Sequence, residues 1–255
     1  MENWRSETYR LQANLPRFRR NVERSLRIIE EALKEEPASY VSWSGGKDSN
    51  VLLDLVRQVN PDIPVVHVRT DIEYPDCVEF VDKFIAEHGL NVTILEPPSA
   101  WQVLIDEGGP FGQVNVATSR IDKECFFEPI ASEAEARGYR QVFLGLRAEE
   151  SRARMLNFRV RGTRYYNKGR NLWTVLPLAS WSARDIFAYH VVHHIPWSPI
   201  YDRTFLHPEP ERIREGWWTT GETAAEHGMG EWLRYHYPEL WRRAVETWPY
   251  LRTGR

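Results

Sequence analysis

Between residues 39 and 193 the chain alternates short, continuously apolar runs with stretches whose apolar residues recur every three or four positions. SYVSW (39–43), PVVHVRT (64–70), NVTILE (91–96) and QVFLGLR (141–147) have the character of strands buried on both faces. Helical periodicity marks 21–35, closed by Pro37, and 50–59, stopped by Asn60-Pro61. It also marks 75–88 and about 128–137, ended by Gly89 and Gly138 at their C′ positions, and 182–193. RYYNKGRNLWTVLPL (164–178) reads as a hairpin, and 97–112, rich in Gly and Pro, as an irregular connection. Such alternation predicts an α/β fold: a doubly wound, mostly parallel sheet flanked by helices, joined by right-handed crossovers. The expected organisation is a helical N-terminal segment (1–37), an α/β domain (38–205) and a helical, Trp-rich, basic C-terminal extension (206–255).

Hydrophobic content of 42% and charged content of 27% are ordinary for a globular chain. No apolar run approaches the roughly 18 residues of a membrane span. MENWRSETYRLQANLPRFRR has no apolar core of a secretory signal, so a cytoplasmic location and no membrane partner are expected. Two cysteines, Cys77 and Cys125, cannot make a disulfide framework or ligate an iron–sulfur cluster alone. The net charge of −3 hides an asymmetry. Between Arg137 and Arg170 stand ten basic residues and two acids, Glu149 and Glu150. The stretch either binds a polyanion or is neutralised by acids from elsewhere in the fold.

In an α/β sheet, ligands bind beyond the carboxyl ends of the strands. SGGKDS (44–49) stands at that place, between a strand and a helix. Gly45 and Gly46 let backbone N–H groups point inward, the helix N-terminus favours an anion, and Lys47 adds a point charge. Ser44 and Ser49 offer hydroxyl donors, while Asp48 suits either a helix cap or Mg²⁺ beside phosphates. The spacing is too short for the GxxxxGK[ST] loop that grips β- and γ-phosphates, and suits cleavage between the α- and β-phosphates.

SGGKDS resembles the PP-loop of the ATP pyrophosphatase superfamily. HVRTDIEYPDCVEFVDKF, GLRAEESRAR and TVLPLASWSARDIFAYHVVHHIPWSPIYDRTF resemble, in order, further motifs of its phosphoadenosine phosphosulfate (PAPS) reductase-like branch. The resemblance implies that Ser42, Ser44, Gly45, Gly46, Lys47, Asp48 and Ser49 surround the nucleotide phosphates. Thr70 and Asp71 would border the adenosine, and Gly145, Arg147, Ser151 and Arg154 would face the anionic group, with Lys47, Asp48, Arg147 and Arg154 carrying the chemistry. Trp181 and Asp185 have the marks of packing and capping, and Asp202 is a further candidate for the site. The chain departs from the reductase pattern in two ways: no cysteine follows Cys125, and KECFFEPI has Phe126 where the family often has Lys.

ATP, or PAPS, with Mg²⁺ and without an iron–sulfur cluster is therefore the expected ligand set. The expected activity is AMP- and pyrophosphate-forming activation of an acceptor, as in DNA phosphorothioation, with a nucleic acid, a sulfur-donor protein such as a cysteine desulfurase and a second copy as candidate partners. The alternatives are a sulfonucleotide reductase, an FMN adenylyltransferase or a nucleotide-binding subunit without turnover. Trp241, Val245 and Trp248 at helical spacing indicate core or a partner surface.

Overall fold

The computed structural model describes residues 3–110, 120–204, 209–213, 217–218 and 229–253. The chain divides into two compact units. The first comprises Met1–His67, Phe80–Ile94 and Ala131–Ser198, and the second Val68–Glu79, Leu95–Ile130 and Pro199–Arg255.

Two helices come first, α1 (Asn3–Ala13) and α2 (Pro16–Glu35). Then follow β1 (Ser39–Ser42), α3 (Lys47–Val59), β2 (Val65–Val68), α4 (Pro75–His88), β3 (Val92–Leu95) and α5 (Ala100–Asp106). A π-helical turn, Lys123–Phe127, leads into α6 (Glu128–Arg137), followed by β4 (Gln141–Phe143), α7 (Arg152–Arg161), β5 (Arg164–Asn167), β6 (Leu172–Val175) and α8 (Ala183–His193). α9 (Met229–His236) and α10 (Pro238–Thr247) lie near the C-terminus.

The six strands form one sheet in the order β3-β2-β1-β4-β6-β5. β1 runs parallel to β2 and to β4, and β4 parallel to β6. β5 returns antiparallel to β6, which is the expected hairpin. Tyr40, Val41, Val65, Val66, Val142 and Phe143 are each no more than 2% exposed, as strands covered on both faces require. From β1 the chain winds outward through β2 and β3, then returns to the other side of β1 as β4. The order therefore reverses between β1 and β4, and the crevice beyond their carboxyl ends is the switch point where doubly wound sheets bind ligands.

α2 starts five residues ahead of the periodic stretch, with Pro16 in its first turn, and buries Phe18, Asn21, Ser25, Ile29 and Ala32 along one stripe. Ser25 links it to the rest of the first unit, donating to Pro177 O (2.8 Å) and accepting from Trp181 Nε1 (2.9 Å). α1 is too polar to declare itself in the sequence. It is held through Tyr9, whose ring stacks on Phe187 of α8 with centroids 5.2 Å apart. Asp185 caps α8: it accepts from Ser182 N (2.9 Å), while its own N–H donates to Ser182 Oγ (3.2 Å).

In the second unit, the stretch expected to be irregular contains α5, started by Ser99 Oγ accepting from Gln102 N at 3.0 Å. Trp101 of α5 packs against Trp248 (4.9 Å) and Trp218 (5.8 Å), and the Arg243 guanidinium lies 3.9 Å from its ring centre. Asp76 accepts from Arg203 Nε and Nη2 and from Tyr237 Oη, fixing the start of α4 to C-terminal residues. Trp218, Trp232 and Trp248 are at most 5% exposed, so these tryptophans form core. Among the described residues, no helix is long and apolar enough to cross a membrane.

Candidate functional site

β1 ends at Ser42, and the chain turns through Ser44, Gly45 and Gly46 into α3. Gly45 has φ +84°, a left-handed conformation that a side chain would strain, and it makes the turn. Gly46 is the N-cap and has no side chain to offer, so it makes no side-chain cap with the first turn of α3. The serines brace the loop from within. Ser44 Oγ accepts from Gly46 N (3.2 Å), and Ser49 Oγ accepts from Ser44 N (3.3 Å) and donates to Gly46 O (2.9 Å). The two hydroxyls are 3.1 Å apart. In this structure the two hydroxyls shape the loop from within, and the amides of Ser44 and Gly46 are turned onto them.

Lys47 is 3% exposed, with its ammonium 3.4 Å from Asp48 Oδ2. Asp48 Oδ1 accepts from Arg147 Nε, which comes from the loop beyond β4. Arg147 is 4% exposed and is also paired with Glu149, with Glu150 Oε1 4.0 Å from its Nη2. Burial works against its charge, but Asp48, Glu150 and Glu149 together hold it above the ordinary guanidinium range. Glu150 also pairs with Arg154, and Ser151 Oγ caps α7 by accepting from Arg154 N (3.1 Å). Lys47, Arg147 and Arg154 thus stand among Asp48, Glu149 and Glu150, a cluster balanced in charge.

Gly145 lies where the loop after β4 passes α3. A Cβ there would stand 3.1 Å from the Asp48 carbonyl carbon and 3.2 Å from Ser49 N, so a side chain would need the first turn of α3 to give by a few tenths of an ångström. Its place in the first unit is one of close packing on the first turn of α3.

Asp48 was the candidate for Mg²⁺. Both its oxygens face cations, and among the described residues no three His, Cys, Asp or Glu side chains cluster as metal ligands. Among the described residues, Asp48 is thus ion-paired with Lys47 and Arg147.

Thr70 and Asp71 belong to the second unit. Thr70 N donates to Glu73 Oε1 at 2.6 Å, and burial pushes the Glu73 carboxyl above its usual range. Asp71 accepts from Ser99 Oγ and Trp101 N, tying its own loop to the start of α5 within this unit. Asp202 also lies in this unit, as do both cysteines, which are buried. Cys125 Sγ faces Pro98 O at 3.5 Å, and burial raises its thiol. Phe126 packs on Phe127 and Trp217.

His190 is the residue that sequence reasoning missed. It is fully buried under the loop, with Nε2 2.8 Å from Lys47 O and Nδ1 3.1 Å from Ile195 O. Its position one turn from the end of an apolar helix gave no sign of this. Trp43 likewise steadies the loop, its Nε1 donating to Asn50 Oδ1 at 2.7 Å.

A braced glycine turn at the switch point of a doubly wound sheet defines an α/β protein with an anion-binding loop of the PP-loop kind. The chain belongs to the phosphoadenosine phosphosulfate reductase domain family, which matches residues 38–207. It is 27% identical to the phosphoadenosine 5'-phosphosulfate reductase of Serratia proteamaculans, over 80% of this chain and 78% of that one. It is also 27% identical to sulfate adenylyltransferase subunit 2 of Rhodopseudomonas palustris, over 74% and 62%. An uncharacterised protein of Methanocaldococcus jannaschii is 27% identical over 76% of this chain, which spans 47% of that protein's length. The fold is similar to that of a PAPS reductase from Candida auris, with a TM-score of 0.61, 16% identity and coverage of 86% and 97%. The FMN adenylyltransferase of Candida glabrata gives a TM-score of 0.57 at 14% identity, over 84% and 67%.

Proposed function

We propose that the protein binds ATP at the SGGKDS loop and cleaves it at the α-phosphate, activating an acceptor for sulfur incorporation, with a nucleic acid as that acceptor. The single observation that carries this reading is the loop itself: a short glycine turn at the end of β1 that opens into the N-terminus of α3, with a buried lysine beside Asp48. An acceptor oxygen attacks the α-phosphorus and releases its proton to solvent. The bond from that phosphorus to the α,β-bridging oxygen breaks, and pyrophosphate leaves with the electron pair. Lys47 and the N-terminus of α3 bind the charge that gathers on the leaving group, while Asp48 and Arg147 hold Lys47 in place. A magnesium ion carried by the triphosphate would neutralise part of its charge. A sulfur nucleophile from a donor protein, of the cysteine desulfurase kind, then displaces AMP.

Relatives named sulfate adenylyltransferase subunit 2 support adenylyl transfer as the reaction class. Burial of both Cys77 and Cys125, which raises the Cys125 thiol, argues against a thiol route within this chain. Acceptor binding by the Arg137–Arg170 stretch and action in the cytoplasm, alone or as a second-copy assembly, complete the reading. Incubation with α-labelled ATP, Mg²⁺ and candidate acceptors tests it. Labelled AMP and pyrophosphate that rise with a nucleic acid support it. Sulfite release from PAPS in place of ATP turnover would make the protein a sulfonucleotide reductase, FAD formation from FMN would make it an adenylyltransferase of flavin, and tight ATP binding without products would make it a binding subunit.

A further inference from the structure

Two thirds of the way along the first unit, from Ser151 to Arg184, the chain contains no Asp or Glu. This stretch builds α7 and the β5–β6 hairpin, and its cations are not all neutralised by the fold. Arg154 pairs with Glu150 and Arg164 with Glu35. Among the described residues, Arg152, Arg159, Arg161 and Lys168 make no ion pair.

α7 buries none of its residues, and it exposes apolar side chains between its arginines: Leu156 is 63% and Val160 74% exposed. Two concave patches lie on this segment, one at the start of α7 and one on the hairpin. The first, of about 340 Å³, lies at the start of α7 and is lined by Arg152, Met155, Leu156 and Arg159 together with Glu149, whose carboxylate is paired with Arg147. The second, of about 410 Å³, lies on the hairpin and is lined by Arg161, Tyr165, Tyr166 and Lys168. Tyr166 is 43% exposed, yet its ring is held at an angle on Trp173 and its hydroxyl donates to Asn171. Tyr165 is fixed by Asn157 Nδ2 at 3.2 Å and carries the Arg161 guanidinium 5.1 Å from its ring centre.

We propose that α7 and the β5–β6 hairpin carry the track of a single-stranded nucleic acid. An occupant must offer negative charge to four unpaired cations and apolar surface to Leu156, Val160 and the Tyr166 ring. An unpaired strand offers both, because its phosphates lie beside open base faces that stack on aromatic rings. A duplex stacks those faces inward and presents phosphates outside. A bilayer surface is broad, whereas these grooves are strand-sized and the second is walled by Asn167 and Gly169. The track names the acceptor class of the activation reading and rests on it for purpose, but binding to it requires no turnover.

The test uses the full chain, without ATP, and a fluorescein-labelled single-stranded DNA read by fluorescence anisotropy. Four phosphate contacts at a log–log salt slope of about −0.7 each predict a roughly fifty-fold loss of affinity from 50 to 200 mM salt. The variant R152Q/R159Q/R161Q/K168Q should flatten that slope, while Tyr166→Ala should weaken binding several-fold and leave the slope unchanged. Circular dichroism and thermal melting check that both variants are folded. Wild-type binding by the quadruple variant overturns the track. Equal affinity for a duplex of the same sequence, with no effect of Tyr166→Ala, overturns its single-stranded character, and binding to phosphatidylglycerol vesicles with none to DNA overturns the choice of partner. DNA binding with no AMP formed under any condition would sink the activation reading and leave the track standing.

Discussion

Asp48 divides its carboxylate between Arg147 Nε and Lys47 Nζ, so neutralising it leaves two buried cations beside the loop without their common partner. Asp48→Asn should lower unfolding stability by about 2 kcal/mol in urea titration and reduce nucleotide affinity, because Lys47 loses the group that orients it. The loop's identity was legible in SGGKDS, since two glycines and a lysine between strand and helix have few other uses. The carboxylate network around Arg147 was not. Glu149 and Glu150 were counted as two charges to subtract, and only folding shows them gripping Arg147 and Arg154. His190 escaped for a related reason: its two partners are backbone carbonyls, which no side-chain pattern records. Buried between them and facing Lys47, Asp48, Phe187 and Trp197, its ring is held below the ordinary imidazole value of 6.5, chiefly by burial. The same cause lowers His193 and His236. A depressed histidine stabilises the fold fully above pH 6.5 and loses that contribution as the unfolded chain takes up protons below it. Stability should therefore fall on acidification from pH 7 through 6, by up to about 1.4 kcal/mol per pH unit for each such group. His190→Gln should remove its part of that slope in melting curves recorded across this range, and an unchanged slope would assign the effect to other histidines.

Among the elements, those with a long apolar stripe were readable and the others were not. α8 was bounded correctly by Ser182, and its cap has the reciprocal geometry of a capping box. Ser182→Ala removes one of the two bonds and should cost about 1 kcal/mol, seen as a lower melting temperature with the far-ultraviolet spectrum unchanged. α5 has only seven residues, too few for periodicity to show, and α7 has no buried stripe at all. α1 is polar along most of its length and depends on Tyr9 reaching Phe187. α3 begins three residues before its apolar pattern, because its first turn is occupied by the loop's own Lys47, Asp48 and Ser49. In each case the missing signal is tertiary: the residues become helical because of what they cap or contact, and their intrinsic patterns are weak.

At the scale of the molecule, strand alternation foretold the parallel sheet, but the order β3-β2-β1-β4-β6-β5 had to be seen before the loop and Arg147 could be placed on either side of one switch point. The double variant Cys77→Ala/Cys125→Ala should retain AMP formation, measured by chromatography of labelled products, because both thiols are buried and neither enters the proposed reaction. Loss of turnover in a variant that melts like the wild type would return a thiol to the mechanism. The claim on which the rest depends is cleavage at the α-phosphate, and pyrophosphate–ATP exchange reads that step alone. With single-stranded nucleic acid and Mg²⁺ present, labelled pyrophosphate should enter ATP, and Lys47→Ala should abolish the incorporation. Nucleotide bound at the loop with no label in ATP, or products limited to ADP and phosphate, would contradict the account.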